Sequence, residues 1–174
     1  MNQDLPPPDA REAGLASLLA ELGIAVRTVA HTPVFTVEEA RSLRGSLPGG
    51  HSKNLFLKDK KGGLWLVVAE ETRKVDLNAL ARQIGAPRFS FGSAELLGAV
   101  LGVPPGSVTP FALMNDRAGR VRAVLDEGLL AHDVANFHPL RNDRTTAIAP
   151  ADLMRFLAAT GHGPLIRTLP EAGA

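Results

Sequence analysis

The sequence contains no cysteine and no tyrosine, and each absence removes a kind of chemistry. Without cysteine there is no disulfide, no thiolate metal site and no thiol nucleophile. Without tyrosine there is no phenol to act as a general acid or base. A chain without cysteine is also typical of a reducing compartment, so we expect a cytoplasmic protein.

Long apolar runs are missing as well. No stretch approaches the roughly 20 residues that a membrane span requires. The first eight residues lack the basic and apolar segments of a secretory signal. We therefore expect no membrane partner.

The common cofactor and metal motifs are also absent. There is no P-loop, no Gly-x-Ser-x-Gly, no His-Glu-x-x-His and no dinucleotide fingerprint after a strand. The five histidines lack the close spacing of metal ligands. Neither a metal nor an organic cofactor is expected.

Charge is nearly balanced, with 19 basic and 18 acidic side chains and a net charge of +1. This balance argues against a protein that coats DNA, because nonspecific binding needs a broad basic face. Residues 41–74 nevertheless hold eight basic and three acidic side chains. That excess could bind a few phosphates or could be plain solvated surface.

Length and composition are typical of one domain over residues 1–174, with residues 1–10 and 164–174 as loose tails. Strand patterns come in runs, with helices inserted between some of them. This arrangement predicts an α+β fold with a mixed, mostly antiparallel sheet and flanking helices. The predicted strands cover 24–30, 49–58, 64–69, 108–114, 120–125, 134–138 and 144–148. The predicted helices begin near Leu15, Asp76, Ser93 and Pro150, and a short helix is predicted from a capping box at Thr36 and Glu39 to about Arg44.

Lys53 is the most unusual residue of these patterns. Strand alternation puts His51, Lys53, Leu55 and Leu57 on one face. A lysine beside two leucines must extend its amine to water, form an ion pair or serve a site. The alternative is an edge-strand lysine that prevents sheet-to-sheet pairing.

Two later segments could contribute to a site. In Gly102–Pro110, glycines and prolines favour an irregular loop whose N–H groups could face a carbonyl or phosphate oxygen, or a rigid connector. In Asn136–Thr146, His138 ends a strand beside a proline, where it could line a site or simply be a hydrogen-bonded turn residue.

The three segments together resemble the YbaK and prolyl-tRNA-synthetase-associated editing domain family. The similar motifs are Gly-His-Ser-Lys-Asn-Leu-Phe-Leu, Gly-x-x-Pro-Gly-Ser-Val-Thr-Pro-Phe and Phe-His-Pro-Leu-x-Asn-x-x-Thr-Thr, in this order. The resemblance runs from about residue 10 to 160, and residues 31–40 look most like the free-standing members that deacylate alanyl-tRNA(Pro). It implies a partly barrel-like sheet.

The resemblance also implies residue roles. Lys53 would bind a phosphate or the 3′ end of the terminal adenosine, and His138 would line the amino-acid pocket. The loop would position the ester carbonyl and the hydrolytic water, with the N–H groups of Gly106 and Ser107 steadying the oxyanion. The remaining predicted substrate-binding residues are Thr32, Phe35, Thr36, Arg44, His51, Asn54, Gly102 and Pro110.

The function so implied is trans-editing hydrolysis of mischarged tRNA(Pro), with alanine as the expected amino acid. The implied partners are the tRNA(Pro) acceptor end and prolyl-tRNA synthetase. Two alternatives stay open: a deacylase for cysteinyl or another small aminoacyl-tRNA, and a noncatalytic module that binds tRNA or another nucleic acid.

Overall fold

The computed structural model describes residues 9–33, 38, 39, 42 and 47–173. Four helices have both ends in this part: α1 (Ala10–Glu21), α2 (Leu77–Ile84), α3 (Ala94–Leu101) and α4 (Pro150–Ala159). Residues 38, 39 and 42 are also helical. Asp76 and Ser93 cap α2 and α3 by accepting hydrogen bonds from backbone N–H groups, as their positions predicted. None of the described helices is long and apolar enough to cross a membrane.

The eight strands form one mixed sheet in the order β1-β7-β6-β2-β3-β5-β8, with β4 paired to β2 beside this path. Pairs β1–β7, β6–β7, β2–β3 and β2–β4 are antiparallel, whereas β2–β6, β3–β5 and β5–β8 are parallel. The α+β prediction with a mixed sheet and flanking helices is confirmed. The strand bounds are β1 (Arg27–Ala30), β2 (Gly50–Asp59), β3 (Leu64–Glu70), β4 (Phe89–Phe91), β5 (Val121–Asp126), β6 (Ala135–Phe137), β7 (Arg144–Ile148) and β8 (Leu165–Arg167).

Alternating side chains of the β2–β3 hairpin enter two separate cores. Phe56, Leu66 and Val68 enter the larger core, which also contains α1, α3 and α4 residues. Leu57 and Val67 point the other way, into a smaller core beside α2. Because both faces are covered, β3 is an apolar, central strand, as its sequence predicted.

Two sequence predictions are wrong. Residues 108–114 do not form a strand: Pro110 begins a 3-10 helix (Pro110–Asn115), and Thr109 caps it by accepting from the Phe111 N–H. Proline lacks the N–H that a ladder needs but suits the first helical position.

The second error concerns residues 164–173. These were expected to be a loose tail, but β8 pairs with β5, Leu169 is 1 % exposed and Val75 bridges to Glu171. The composition of this segment is that of a loose tail, but composition does not show that β5 has an edge to pair. The other expected tail lies outside the described residues up to residue 8; Asp9 caps α1 by accepting from the Glu12 N–H.

Candidate active site

The centre of the candidate site is a split in the pairing along one edge of β2. On its β3 side, β2 is paired from Ser52 to Lys58. On its other side it pairs with β6 only at residues 50 and 51 and with β4 only from residue 57. The Phe56 carbonyl on that edge accepts from the Gly92 N–H at 2.9 Å, and none of the described strands pairs with residues 52–55 there, so a ligand can approach the backbone of β2 at those residues.

Lys53 lies on β2 beside this split and is partly buried. Its ammonium forms no hydrogen bond or ion pair with the described residues. Burial lowers the pKa of Lys53 below the usual 10.5, an effect that the Glu71 carboxylate opposes and the Lys74 ammonium reinforces. A desolvated cation without a hydrogen-bond acceptor is a ready partner for an anion.

His138 follows the last residue of β6 and has a defined tautomer. Its Nδ1–H donates to the carbonyl oxygen of Arg144 at 2.9 Å, which leaves Nε2 as the nitrogen with the lone pair. Burial is the main cause that lowers the pKa of His138 below 6.5, and the nearby His31 ring lowers it further. His138 therefore offers a neutral acceptor at pH 7.

The sheet register places Lys53 and His138 on the same face. His51 of β2 is aligned with Asn136 of β6, and two residues further along each chain come Lys53 and His138. Because side chains alternate along a strand, the four share one side of the sheet. Asn136 fixes the junction, since its side-chain amide donates to the carbonyl oxygens of Pro48 and Gly50 at 3.0 Å.

His31 stands across from His138 on this face, with 6.3 Å between the ring centroids. Its Nδ1–H donates to the Thr32 carbonyl at 2.7 Å, so Nε2 accepts from the Thr145 hydroxyl at 2.8 Å. Both ring nitrogens are thus occupied. His31 supports the site rather than offering it a free nitrogen.

Asn54 points to the opposite face, toward the larger core. Its side-chain amide donates to the Ser52 hydroxyl at 3.2 Å, and Ser52 in turn donates to the Asn136 carbonyl. The buried Oδ1 of Asn54 has no hydrogen-bond partner among the described residues. A buried acceptor left unsatisfied is costly, so this oxygen can accept from a ligand that enters the split.

The Gly102–Pro110 loop meets the turn that follows His138. A Cβ added at Gly106 would lie 3.7 Å from the Asn142 side-chain nitrogen, and Gly106 has a φ of +89°, which favours glycine. Ser107 and Pro104 line a surface pocket together with Pro33 and Asn142. The loop is therefore beside the turn and the His31–Pro33 segment.

One predicted donor of this loop is already engaged. The Ser107 N–H donates to the Pro104 carbonyl at 3.2 Å, and the residue is buried. Of the two predicted oxyanion donors, only the Gly106 N–H makes no hydrogen bond to a described residue. Gly102 ends α3 in the left-handed conformation and its carbonyl accepts from Arg11, while Pro110 is buried at the start of the 3-10 helix; both shape the loop rather than face the split.

The other predicted residues divide into two groups. His51 lies on the Lys53 face and its Nε2 bonds to the Leu47 carbonyl at 2.9 Å, so that Nε2 donates. Thr32 is exposed and holds His31 through its carbonyl oxygen. Phe35, Thr36 and Arg44 lie outside the described residues.

A mostly apolar cavity of about 430 Å³ continues along this face. Asn136 and Thr145 form its border with the histidine pair, and Leu47 and Pro48 lie across from β1 and β7. A small apolar group can therefore be received next to the polar centre.

Several residues of the site were missed in the sequence. In the sequence His31 is only the first residue of a motif, and its hydrogen bond to Thr145 depends on the β1–β7 register. Asn136 and Arg144 both belong to the predicted site segment Asn136–Thr146. Only the fold shows that Asn136 joins β6 to β2 and that Arg144 orients His138. Among the described residues, no group of three His, Asp or Glu side chains could hold a metal ion.

The fold and site together define a small α+β domain in which a partly buried lysine, not ion-paired within the part of the chain that the structure describes, and a neutral imidazole lie at a split strand edge. A model of the aminoacyl-tRNA editing domain matches residues 31–156, most of the chain. The protein belongs to the aminoacyl-tRNA editing domain family.

Named relatives agree with this assignment. The chain is 42 % identical over 159 residues to the prolyl-tRNA synthetase associated domain-containing protein 1 of Bos taurus, covering 88 % of this chain and 92 % of the relative. It is 36 % identical over 155 residues to the prolyl-tRNA editing protein ProX of Acetoanaerobium sticklandii, covering 88 % and 94 %.

A solved structure described as "a putative trans-editing enzyme for prolyl tRNA synthetase" has the same fold. Its TM-score is 0.72 with 21 % identity, over 95 % of this chain and all of the other.

Proposed function

We propose that the protein hydrolyses the aminoacyl ester of mischarged tRNA(Pro), with alanyl-tRNA(Pro) as its substrate. The observation that carries the proposal is the placement of two groups on one face of a split sheet edge: Lys53, whose ammonium has no hydrogen bond or ion pair with the described residues, and His138, a neutral acceptor. Family membership gives the reaction class, and the name of the ProX relative points to prolyl-tRNA.

Each part of the site suits ester hydrolysis. The Lys53 ammonium binds the phosphate or 3′ end of the terminal adenosine as a compact point charge. His138 Nε2 accepts a hydrogen bond from the amino group of the aminoacyl moiety or from the attacking water. The Gly106 N–H steadies the negative charge that develops on the carbonyl oxygen.

An aminoacyl ester is already activated, so this inventory needs no strong nucleophile. Water adds to the ester carbonyl, the bond from that carbon to the ribose oxygen breaks, and free amino acid and tRNA leave. A substrate ribose hydroxyl assists the water. Positioning and charge stabilisation supply the acceleration.

The choice of alanine follows from double-sieve selection. A synthetase cannot strongly reject an amino acid smaller than its own, because each missing methylene changes binding by only about 1–3 kcal/mol. A second site that admits alanine but not proline removes the error. Prolyl-tRNA(Pro) is then spared by size.

A panel of charged tRNAs tests the proposal directly. The purified protein should deacylate alanyl-tRNA(Pro) and leave prolyl-tRNA(Pro) intact. Lys53→Ala should lower kcat/KM by about 10- to 100-fold, as expected when a charge-assisted contact of about 1.5–3 kcal/mol is lost. Its melting temperature should stay the same or rise, because a partly desolvated charge is removed.

Arg117→Ala is the control, since Arg117 is an exposed cation in the turn after the 3-10 helix, outside the candidate site. It should retain wild-type kcat/KM. Hydrolysis of cysteinyl-tRNA(Pro) with alanyl-tRNA(Pro) untouched would overturn the alanine assignment. Binding of tRNA without hydrolysis of any ester would show a noncatalytic module, and unfolding of Lys53→Ala would show that Lys53 is structural.

A further inference from the structure

Asn142 lies in the turn between β6 and β7 and has a side-chain amide to which no role has been given so far. The side chain is partly buried and makes no hydrogen bond with a described residue. It lies against the Gly102–Pro110 loop, because a Cβ added at Gly106 would be 3.7 Å from Asn142 Nδ2. An amide N–H₂ that the fold leaves without an acceptor can donate to a ligand.

The Gly106 N–H is a second donor at the same place. It also makes no hydrogen bond with a described residue, whereas the Ser107 N–H donates to the Pro104 carbonyl. A side chain at Gly106 would extend toward the Asn142 amide, so glycine leaves that space open. Two N–H donors from separate segments therefore lie close together.

The turn that carries Asn142 is held on both sides. Among the described residues, Leu140 is the only non-glycine residue with a positive φ, +70°, and its side chain is buried in the larger core. That conformation is costly for leucine and persists only where packing imposes it. Arg141 donates to both carboxylate oxygens of Asp143, at 2.7 and 2.6 Å, and also to Glu12. The Asn142 amide is thus preorganised.

The same turn carries the neutral imidazole of the candidate site. It begins directly after His138 and is closed by the hydrogen bond from His138 Nδ1–H to the Arg144 carbonyl. The Asp143 carbonyl, next to Asn142, accepts from the His31 N–H. Asn142 therefore lies inside the segment that positions both histidines.

The charges around Asn142 indicate what the two donors can bind. Asn142 lines a surface pocket of about 380 Å³ together with two arginines and two aspartates. These four are paired, with Arg11 at 3.3 Å from Asp9 and Arg141 at 2.6 Å from Asp143. A phosphate would need an uncompensated cation. Two neutral N–H groups suit a carbonyl oxygen on which negative charge develops during a reaction.

We propose that Asn142 is a catalytic residue whose Nδ2–H donates, together with the Gly106 N–H, to the carbonyl oxygen of the aminoacyl ester. As water adds to the carbonyl carbon, the π electrons of the C=O bond move to this oxygen, and the two donors stabilise the charge. The double bond then re-forms, the ribose oxygen leaves with one proton of the water, and the other proton goes to solvent. This inference rests on the proposed function, because it takes the ester as the substrate.

Steady-state hydrolysis of alanyl-tRNA(Pro) tests the assignment. Asn142→Ala should lower kcat by roughly 100- to 1000-fold, as expected when one oxyanion donor is removed. KM should change little, because the contact strengthens only as charge develops. The melting temperature should stay near the wild-type value, because the side chain makes no hydrogen bond with a described residue.

Asn142→Asp is the sharper variant, because it keeps the shape of the side chain and replaces the donor by a carboxylate. Repulsion between this carboxylate and the oxyanion should lower kcat at least as far as alanine does. Asn78→Ala is the matched control, since Asn78 is an exposed asparagine on α2, outside the candidate site. It should have wild-type kcat and KM.

Two substrate analogues separate the transition state from the ground state. In the amide analogue, alanine is joined through nitrogen to the 3′ carbon of adenosine; in the phosphonate analogue, a tetrahedral, anionic phosphonate ester replaces the carbonyl group. In calorimetric titrations, wild type should bind the phosphonate more tightly than the amide. Asn142→Ala should lose affinity for the phosphonate by the factor by which kcat falls and keep its affinity for the amide.

Binding of the analogues needs no chemistry, so the two proposals can fail separately. Wild-type kcat in Asn142→Ala, an equal loss of affinity for both analogues, or a lower melting temperature in both Asn142 variants would overturn the role of Asn142 alone. Asn142-dependent binding of the phosphonate without hydrolysis of any ester would overturn the deacylase and keep the oxyanion site. A wild type with neither hydrolysis nor a preference for the phosphonate would overturn both.

Discussion

At the residue scale, burial acts on Lys53 and His138 in the same direction but with different consequences. Burial lowers both pKa values, because each charged form loses hydration. For His138, whose usual pKa is 6.5, the shift favours the neutral ring at pH 7. For Lys53, the Glu71 carboxylate opposes the effect of burial and favours the ammonium.

The protonation of His138 predicts the pH dependence of hydrolysis. Protonation removes the Nε2 lone pair, so kcat/KM should fall as pH drops, with a midpoint below 6.5. Folding stability should fall in the same direction, since below pH 6.5 the unfolded chain binds this proton more readily than the folded one. A pH–rate profile and an NMR titration of the His138 ring measure the two effects.

His138→Gln is the informative variant for this prediction, because it keeps an acceptor that does not titrate. It should lose the acidic limb of the profile. A midpoint at or above 6.5, or a limb that persists in the glutamine variant, would contradict the role given to His138.

At the element scale, an ion pair joins α1 to the start of β7, next to the site. Glu12 and Arg144 are both buried and form an ion pair at 2.6 Å, although 132 residues separate them. Arg144 also orients His138 through its carbonyl, and the preceding Asp143 carbonyl accepts from the His31 N–H at 2.9 Å. One contact from α1 thus anchors the start of β7, which holds both imidazoles.

Glu12→Ala should therefore impair both stability and activity. Removal of one partner of a buried pair costs about 3–5 kcal/mol, because the remaining charge stays desolvated. Exposed Glu21→Ala, on the same helix, should change little. Urea unfolding and kcat/KM are the measurements.

The double variant Glu12→Ala/Arg144→Met separates the two effects, since it removes both charges of the buried pair and should recover most of the stability. If kcat/KM recovers fully with stability, the pair acts only on folding. A persistent loss of kcat with an unchanged KM would show that it positions His138.

This tether shows why sequence predicts part of the site and not the rest. Lys53 is conspicuous because its neighbours alternate, and the helix starts near Asp76 and Ser93 are predictable because capping is local. Glu12–Arg144, His31–Thr145 and the split in β2 pairing depend on contacts between distant residues, and no local pattern encodes them. The missed strand β8 is a similar case: its residues pair because β5 offers an edge.

At the scale of the whole molecule, a buried polar pair connects the end of α4 to the start of β5. His162 Nε2 bonds to Asp116 Oδ2 at 2.9 Å, and the same carboxylate accepts from the Arg120 and Val121 N–H groups. Burial alone would raise the pKa of Asp116, but the hydrogen bonds, His162 first among them, outweigh it and hold the pKa below 3.8.

A lowered carboxyl pKa stabilises the fold above the unfolded value of 3.8, and this contribution is lost as pH falls through the lower folded pKa. Asp116→Asn should lower the free energy of unfolding at pH 7 by about 1–3 kcal/mol, because the amide N–H₂ must face a donor. The difference from wild type should shrink below pH 3.8.

Exposed Asp133→Asn is the control, because it leaves the Asp116–His162 pair intact; it should match wild type in urea unfolding at both pH values. If the effect of Asp116→Asn does not change with pH, packing rather than the carboxylate charge joins these elements.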